Sequence, residues 1–251
     1  MHRSGTSVVS RMLSLLGAHL GPERSTMAPA ADNPKGYWEH SGLVDINNAI
    51  LSRFGGTWDN PPDFPEGWPT SPQVQEFRQR AQEIIKGDFS DTPLWSWKDP
   101  RCSVTLPFWQ QVMPSMSYVV CVRNPVSVSR SLERRDGFSM HKSAALWLKY
   151  TASAVRYTSG KRRLLVFYED VMQNWEVELD RLATFVGTRA SISEASVREI
   201  REFLEPELYH HRNKVLTAVD EPQLSLPAKS LYLLLLQARH STIPDRLGDE
   251  I

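Results

Sequence analysis

The sequence predicts an α/β protein in which helices cover both faces of a central parallel sheet. Segments with strand and helix patterns alternate along most of the chain, which is the order that a parallel sheet requires. The clearest strand, residues 117–123, is a continuous apolar run, as expected where both faces of a strand are buried. Polar clusters follow three predicted strands, and ligands bind beyond the carboxyl ends of parallel strands.

Composition places the chain among ordinary globular proteins. Its 251 residues suffice for one large domain, so we predict a single domain over residues 1–251. The 29 basic and 29 acidic residues give zero formal charge, which argues against a nucleic-acid partner and requires any anion site to be local. No apolar run reaches the ~20 residues of a membrane span. The two cysteines, Cys102 and Cys121, form no spacing motif, which indicates a reducing compartment and predicts a cytoplasmic protein.

The first element is a helix whose apolar residues recur at helical spacing from Val9 to Leu20. Residues 4–7, with the sequence SGTS, lie where this helix begins, so their amides lack helical partners. A turn around Gly5 at that place forms a concavity suited to a phosphate. The lysine of the common ATP-binding loop is absent, and an ordinary capped helix with a surface Arg3 is the alternative interpretation.

Turn residues and apolar periodicity delimit the later elements. In order, they are a helix from Ser71 and Pro72 to Gly87, a short strand over residues 93–98, a helix after Pro107, the strand at 117–123, a helix over residues 142–157, a strand from Arg163, a helix ending at Gly187, a helix with the capping box Ser191 and Glu194, and a core helix at 231–238.

Six of the eight tryptophans divide into two groups. Three lie on the apolar faces of predicted helices and are expected in the core; they are Trp109, Trp147 and Trp175. Three lie in irregular, proline-rich segments that we expect to border a site, where aromatic faces suit a sugar or aryl ring; they are Trp38, Trp58 and Trp68.

Three polar clusters occupy equivalent places, directly after predicted strands. The sequence KDPR begins at Lys98, RNPVSVSRS begins at Arg123, and YED begins at Tyr168. Arg123 leaves its strand at the ligand edge of the sheet. Ser131 follows it by eight residues and can add a hydroxyl to the same anion. The alternative is a structural ion pair between Arg123 and a neighbouring carboxylate.

Together these motifs resemble the sulfotransferases that use 3′-phosphoadenosine 5′-phosphosulfate (PAPS), and the resemblance runs from HRSGTS to the helix that ends at Gly187. It implies a P-loop NTPase-like, three-layer α/β/α fold. In that family a loop of the form (P/H)RSGT(S/T) wraps the 5′-phosphosulfate. An Arg followed eight residues later by Ser holds the 3′-phosphate, and the Tyr of a YED element lies near the adenine. The PAPS-binding residues that the resemblance implies are Arg3, Ser4, Gly5, Thr6, Ser7, Arg123, Ser131 and Tyr168.

The elements NPKGYWEH and KDPR look most like the bacterial branch, and the Lys-Asp-Pro element also resembles tyrosylprotein and Golgi-type enzymes. The C-terminal Gly-rich segment of the cytosolic animal enzymes is not recognisable. Basic groups at His210, His211 and Arg212 are the candidates to complete the 3′-phosphate clamp. Family members carry an apolar strand immediately ahead of the loop. We therefore expect that Met1 is an internal methionine or a truncation point, and that this chain lacks the first strand and is marginally stable or weakly active.

The reaction implied is in-line transfer of the sulfuryl group to an acceptor hydroxyl, with a carbohydrate as the preferred acceptor class and no metal ion. Arg3 and Lys98 are the candidates to meet the negative charge of the transition state. Glu39 is the first candidate for the general base, because related enzymes use a Glu from the segment after the first helix. His40 is the second candidate.

Other interpretations stay open at this point. A P-loop kinase of a small hydroxyl substrate would depend on ATP and magnesium, and the missing loop lysine argues against it. A non-catalytic nucleotide-binding remnant would bind adenosine 3′,5′-bisphosphate without any transfer. Glu39 could instead pair with Lys35 or Arg101. Asp99 and Arg101 are expected to position the turn after Lys98 rather than to react.

Overall fold

A computed structural model describes residues 1–28, 36–189, 193–204 and 215–239. Within these ranges the chain is mostly helical, with two strands. The helices are α1 (Thr6–Leu15), α2 (Ser41–Arg53), α3 (Gln75–Phe89), α4 (Cys102–Val112), α5 (Pro125–Asp136), α6 (Met140–Tyr157), α7 (Tyr168–Gln173), α8 (Trp175–Val186), α9 (Glu194–Phe203), α10 (Val215–Asp220) and α11 (Leu226–Gln237), and the strands are β1 (Tyr118–Val122) and β2 (Arg163–Phe167).

The two strands pair in parallel, as the sequence predicts. Tyr118 pairs with Arg163 at one end of the ladder and Val122 with Phe167 at the other. The helices α5 and α6 lie between the strands in the chain, which gives the crossover that parallel pairing requires. Both strands therefore end at the same edge of the sheet, and Arg123 and Tyr168 follow directly at that edge.

Helices cover both faces of the sheet. On one face Val120 and Phe167 join a core with residues of α5, α6 and α11. On the other face Val166 and the half-buried Cys121 pack among residues of α1, α8 and α9. A third core joins α2, α3 and α4 around Trp109. The predicted α/β class with helices on both faces is confirmed.

The predicted strand over residues 93–98 is wrong. In the structure this segment forms only one isolated bridge, between His19 and Trp95. A strand needs a hydrogen-bonding neighbour along its length, and among the described residues β1 pairs with β2 alone. Residues 93–98 therefore lack a strand to pair with. The segment and β1 both line a cavity of about 210 Å³, whose apolar walls include Val9 and Leu13.

The tryptophan predictions are confirmed in part. Trp109 and Trp147 are fully buried, and Trp175 is half-buried against the core of α1 and α8. Trp68, predicted to border the site, lies instead in the core of α2, α3 and α4. Its ring centre is 4.1 Å from that of Phe64, so the proline-rich segment supplies apolar partners that bury it.

Several element ends differ from prediction. The helix predicted to follow Pro107 begins at Cys102 and contains this proline. The cap of α9 is Ser193, whose hydroxyl accepts the amide of Ser196. In the described part of the chain, no helix is both long and apolar enough to cross a membrane. The predictions that involve Lys35, Ser191, His210, His211 and Arg212 lie outside the described residues.

Candidate functional site

The loop before α1 turns through two left-handed residues. Gly5 caps the helix with a φ of 81°, and Arg3 has a φ of 62°. A Cβ atom on Gly5 would lie 2.3 Å from Cδ2 of Tyr168, so the tyrosine ring packs directly against the loop. Glycine is therefore required here both by its backbone conformation and by this close approach.

Two hydrogen bonds join this loop to residues that follow β1, and one of those residues stacks on Tyr168, which follows β2. Arg3 Nε donates to Ser131 Oγ at 2.8 Å. Arg123 Nη1 donates to the carbonyl oxygen of Arg3 at 2.9 Å, and the Arg123 guanidinium carbon lies 4.2 Å from the centre of the Tyr168 ring. Because α5 begins at Pro125, its second turn brings Ser131 back to the loop. The structure thus assembles the predicted PAPS-binding residues in one place.

Asn124 and Glu169 fix the two strand ends, and neither was a predicted site residue. Asn124 Oδ1 accepts the amide of Val126 at 2.9 Å and caps α5. Glu169 Oε1 accepts the Asn124 amide at 2.9 Å, which ties the start of α7 to the start of α5. Burial raises the pKa of Glu169. The sequence signal for Asn124 was its place before a proline at the first helical position.

Lys98, Glu39 and Ser7 meet beside the loop. Lys98 Nζ donates to Ser7 Oγ at 3.3 Å and forms an ion pair with Glu39. The two charged side chains are only 12% and 7% exposed. Burial raises the pKa of Glu39, and the positive charge of Lys98 opposes that rise. Of the two partners considered above for Glu39, Arg101 pairs instead with Asp99, and Lys35 lies outside the described residues.

The turn after Lys98 is held rigid by Asp99. Asp99 Oδ1 accepts from the amide and from Nη1 of Arg101, both at 2.9 Å. The buried Asn47 of α2 donates to the other carboxylate oxygen at 2.8 Å. These contacts agree with a positioning role for Asp99 and Arg101. Asn47 was missed, although a polar residue on the apolar face of α2 was a signal for it.

His40 lies next to Glu39 in the chain but has a different partner. Its Nε2 is 2.8 Å from Oδ2 of Asp88, near the end of α3. Asp88 also accepts from Ser25 Oγ at 3.3 Å and from Arg24 at 3.1 Å. The hydrogen bond from His40 lowers the pKa of Asp88. Sequence reasoning missed Asp88, which stands 48 residues from His40 with no motif around it.

The cluster around the loop fits an anionic ligand. Among the described residues, Ser4 Oγ and Arg123 Nε are buried without a hydrogen-bond partner. Ser4 is only 1% exposed, and a buried polar atom without a partner is unfavourable. A hydroxyl and a guanidinium N–H can both donate to phosphate oxygens, and α1 adds the positive end of its dipole.

A sequence model described as the sulfotransferase family matches residues 1–191, which include every site residue described above. The chain therefore belongs to the sulfotransferase family. Membership indicates a transferase that moves sulfuryl groups. No curated protein and no solved structure matches the chain significantly.

Proposed function

We propose that this protein transfers a sulfuryl group from PAPS to an acceptor hydroxyl. The main support is one set of contacts. Arg3 joins the loop to Arg123 and Ser131. Lys98, which pairs with Glu39, donates to Ser7 beside the same loop. One end offers donors for phosphate oxygens, and the other offers a cation and a carboxylate. This combination suits transfer from an anionic donor to a hydroxyl.

The donor would be held by the residues around the loop, and it supplies the activated sulfuryl group. Ser4, Gly5, Thr6 and Ser7 would bind the 5′-phosphosulfate together with the amides at the start of α1. Arg123 and Ser131 would bind the 3′-phosphate. Tyr168, stacked under the Arg123 guanidinium, would lie beside the adenine.

Transfer to a hydroxyl requires a base and a cation. Glu39 accepts the hydroxyl proton at its carboxylate while the new oxygen–sulfur bond forms and the bridging oxygen–sulfur bond breaks. Burial raises the pKa of Glu39 toward neutral pH, and a carboxylate with a higher pKa is a stronger base. Lys98 and Arg3 stabilise the negative charge that develops on the sulfuryl and bridging oxygens. The scheme uses no metal ion.

Two of the tryptophans expected to border the site lie near the loop and Glu39. Trp58 lies near the loop, with its ring centre 4.5 Å from that of His2, the residue before Arg3, and this position is the basis for proposing an acceptor with a sugar or aryl ring. Trp38 is half-buried beside Glu39 in the chain. A carbohydrate acceptor, a cytoplasmic location and a bacterial source stay predictions.

Calorimetric titration with adenosine 3′,5′-bisphosphate beside ATP tests the donor. We expect the bisphosphate to bind more tightly, because Arg123 and Ser131 would contact its 3′-phosphate. Tighter binding of ATP would contradict the proposal. Incubation with PAPS and a panel of simple sugars and phenols then tests transfer. Binding of the bisphosphate without transfer to any of them would favour a nucleotide-binding remnant.

A further inference from the structure

We propose that His40 is a positioning residue which, together with Asp88, aims the carboxylate of Glu39 at Lys98. The inference rests on the proposed function of Glu39 as general base. It assigns to His40 a role other than proton transfer, and it gives Asp88 a role in the reaction.

The His40 ring is enclosed by two glycines. A Cβ atom on Gly21 would lie 2.6 Å from the ring Cδ2, and a Cβ atom on Gly42 would lie 3.4 Å from its Cε1. The ring centre is 5.6 Å from that of Phe89, and the residue is only 3% exposed. The ring therefore occupies a slot that exists because both neighbours lack side chains.

The bond to Asp88 fixes the ring within that slot. Asp88 Oδ2, the oxygen that faces His40, also accepts from the hydroxyl of Ser25, so the carboxylate keeps its place. Its helix, α3, is anchored in the core by the buried Phe77 and Phe89. His40 thus connects the chain around Glu39 to a rigid helix.

The backbone of Glu39 is held from both sides. Its carbonyl oxygen accepts the amide of Met27 at 2.9 Å, and His40 is bridged to Thr26. On the other side Trp38 has a φ of 56°, a strained conformation for a bulky residue that persists only where its surroundings impose it. With both neighbours fixed, the Cα–Cβ bond of Glu39 keeps its direction, and the side chain that leaves along it meets Lys98.

The test compares variants of His40 in the full chain. H40F keeps the ring and removes the bond to Asp88, and H40Q restores a nitrogen at the position of Nε2. The control is R24A, because Arg24 contacts the same carboxylate through a side chain that is 78% exposed. With PAPS and the most active sugar or phenol of the panel above both saturating, we expect kcat to fall roughly 100-fold in H40F, which is the effect of a small misplacement. H40Q should recover most of this loss, and R24A should match the unmodified protein.

Two further readouts separate positioning from a general loss of structure. The dissociation constant for adenosine 3′,5′-bisphosphate should not change in H40F. The acid limb of kcat should move to lower pH, because a released Glu39 gains water and its pKa falls toward the ordinary value. The charged groups that face Glu39 are Lys98, Asp99 and Arg101, and none of them is altered. A merely structural loss would lower the active fraction without moving the limb.

The failures of the two proposals are distinguishable. If E39Q keeps normal turnover, the proposed base is wrong. If E39Q is slow but H40F turns over normally, only the positioning role is wrong. Turnover in H40Q as low as in H40F would also overturn the positioning role, because the imidazole itself would then be required.

If H40F does not fold, D88N provides a second test, because it weakens the same bond at constant volume. A lower kcat with the same shift of the acid limb is expected. No shift of the acid limb would overturn the proposal.

Discussion

The loop end of the site and the Lys98–Glu39 end are built in opposite ways. At the loop end, Ser4 and Arg123 each keep a buried polar atom without a partner among the described residues. At the other end, Lys98 and Glu39 already pair with each other. The first region is organised to gain contacts when an anion binds. The second holds two opposite charges in place, so changes there are expected to alter rate rather than affinity.

The largest effect is expected from K98A. Loss of a cation that acts mainly in the transition state should lower kcat about 100- to 1000-fold. The affinity for adenosine 3′,5′-bisphosphate should stay within a few-fold, because such a contact affects rate more than binding. Steady-state kinetics and calorimetry on the same preparation measure both. A comparable loss of affinity would remove the distinction between the two ends.

The reverse pattern is expected at the loop end. A charge-assisted contact contributes about 1.5 to 3 kcal/mol, so R123A should weaken bisphosphate binding roughly 10- to 150-fold. S131A removes a neutral contact and should have a smaller effect. Adenosine 5′-phosphate lacks the 3′-phosphate and should bind each variant nearly as well as the unmodified protein. Equal losses for both nucleotides would contradict the assignment.

A pair of glycine variants isolates the contact between the loop and Tyr168. Gly5 and Gly55 have similar φ values of 81° and 77°, but a Cβ atom on Gly55 would meet nothing within 4 Å. Both G5A and G55A carry backbone strain, and G5A adds a clash, which we expect to cost about 1 to 3 kcal/mol more in unfolding free energy. Urea unfolding measures the difference. Equal stabilities would show that the ring moves aside without cost.

The smallest expected effect is the pH dependence of the rate. Glu39 acts as a base only when it is deprotonated, and burial raises its pKa above the ordinary 4.5. Consequently, kcat should fall as the pH drops through the pKa of Glu39, which lies above the pKa of an exposed glutamate. Bisphosphate affinity should not follow the same curve. A kcat with no acid limb above pH 4.5 would argue against Glu39 as the base.

The difference between the two ends also decides what the sequence could predict. Arg123, Ser131 and Tyr168 follow strands directly, and a parallel sheet brings the ends of its strands to one edge. Their meeting at one edge was therefore predictable from element order, and their closeness to the loop was implied by the resemblance to PAPS-dependent sulfotransferases. The confirmed α/β class depends on the same regularity.

The parts that escaped prediction depend on packing between distant segments. Asp88 contacts His40 because α3 folds back on α2, and no local pattern marks that contact. In the sequence, Gly21 and Gly42 look like ordinary turn and helix residues. Only the structure shows that the imidazole of His40 lies between them. Trp68 was misassigned for the same reason, since its partner Phe64 lies in an irregular segment without periodicity.

The contacts around the loop span up to about half of the chain, and this determines when the site forms. Arg3 meets Ser131 across 128 residues and Arg123 across 120, and Lys98 meets Ser7 across 91. Closing such long loops costs entropy before any contact forms, so topologies of this kind fold slowly. During synthesis the phosphate loop leaves the ribosome before the residues that it contacts. Its contacts with Arg123, Ser131 and Tyr168 form only after Tyr168 has been made, so the loop is completed long after its own residues are synthesised.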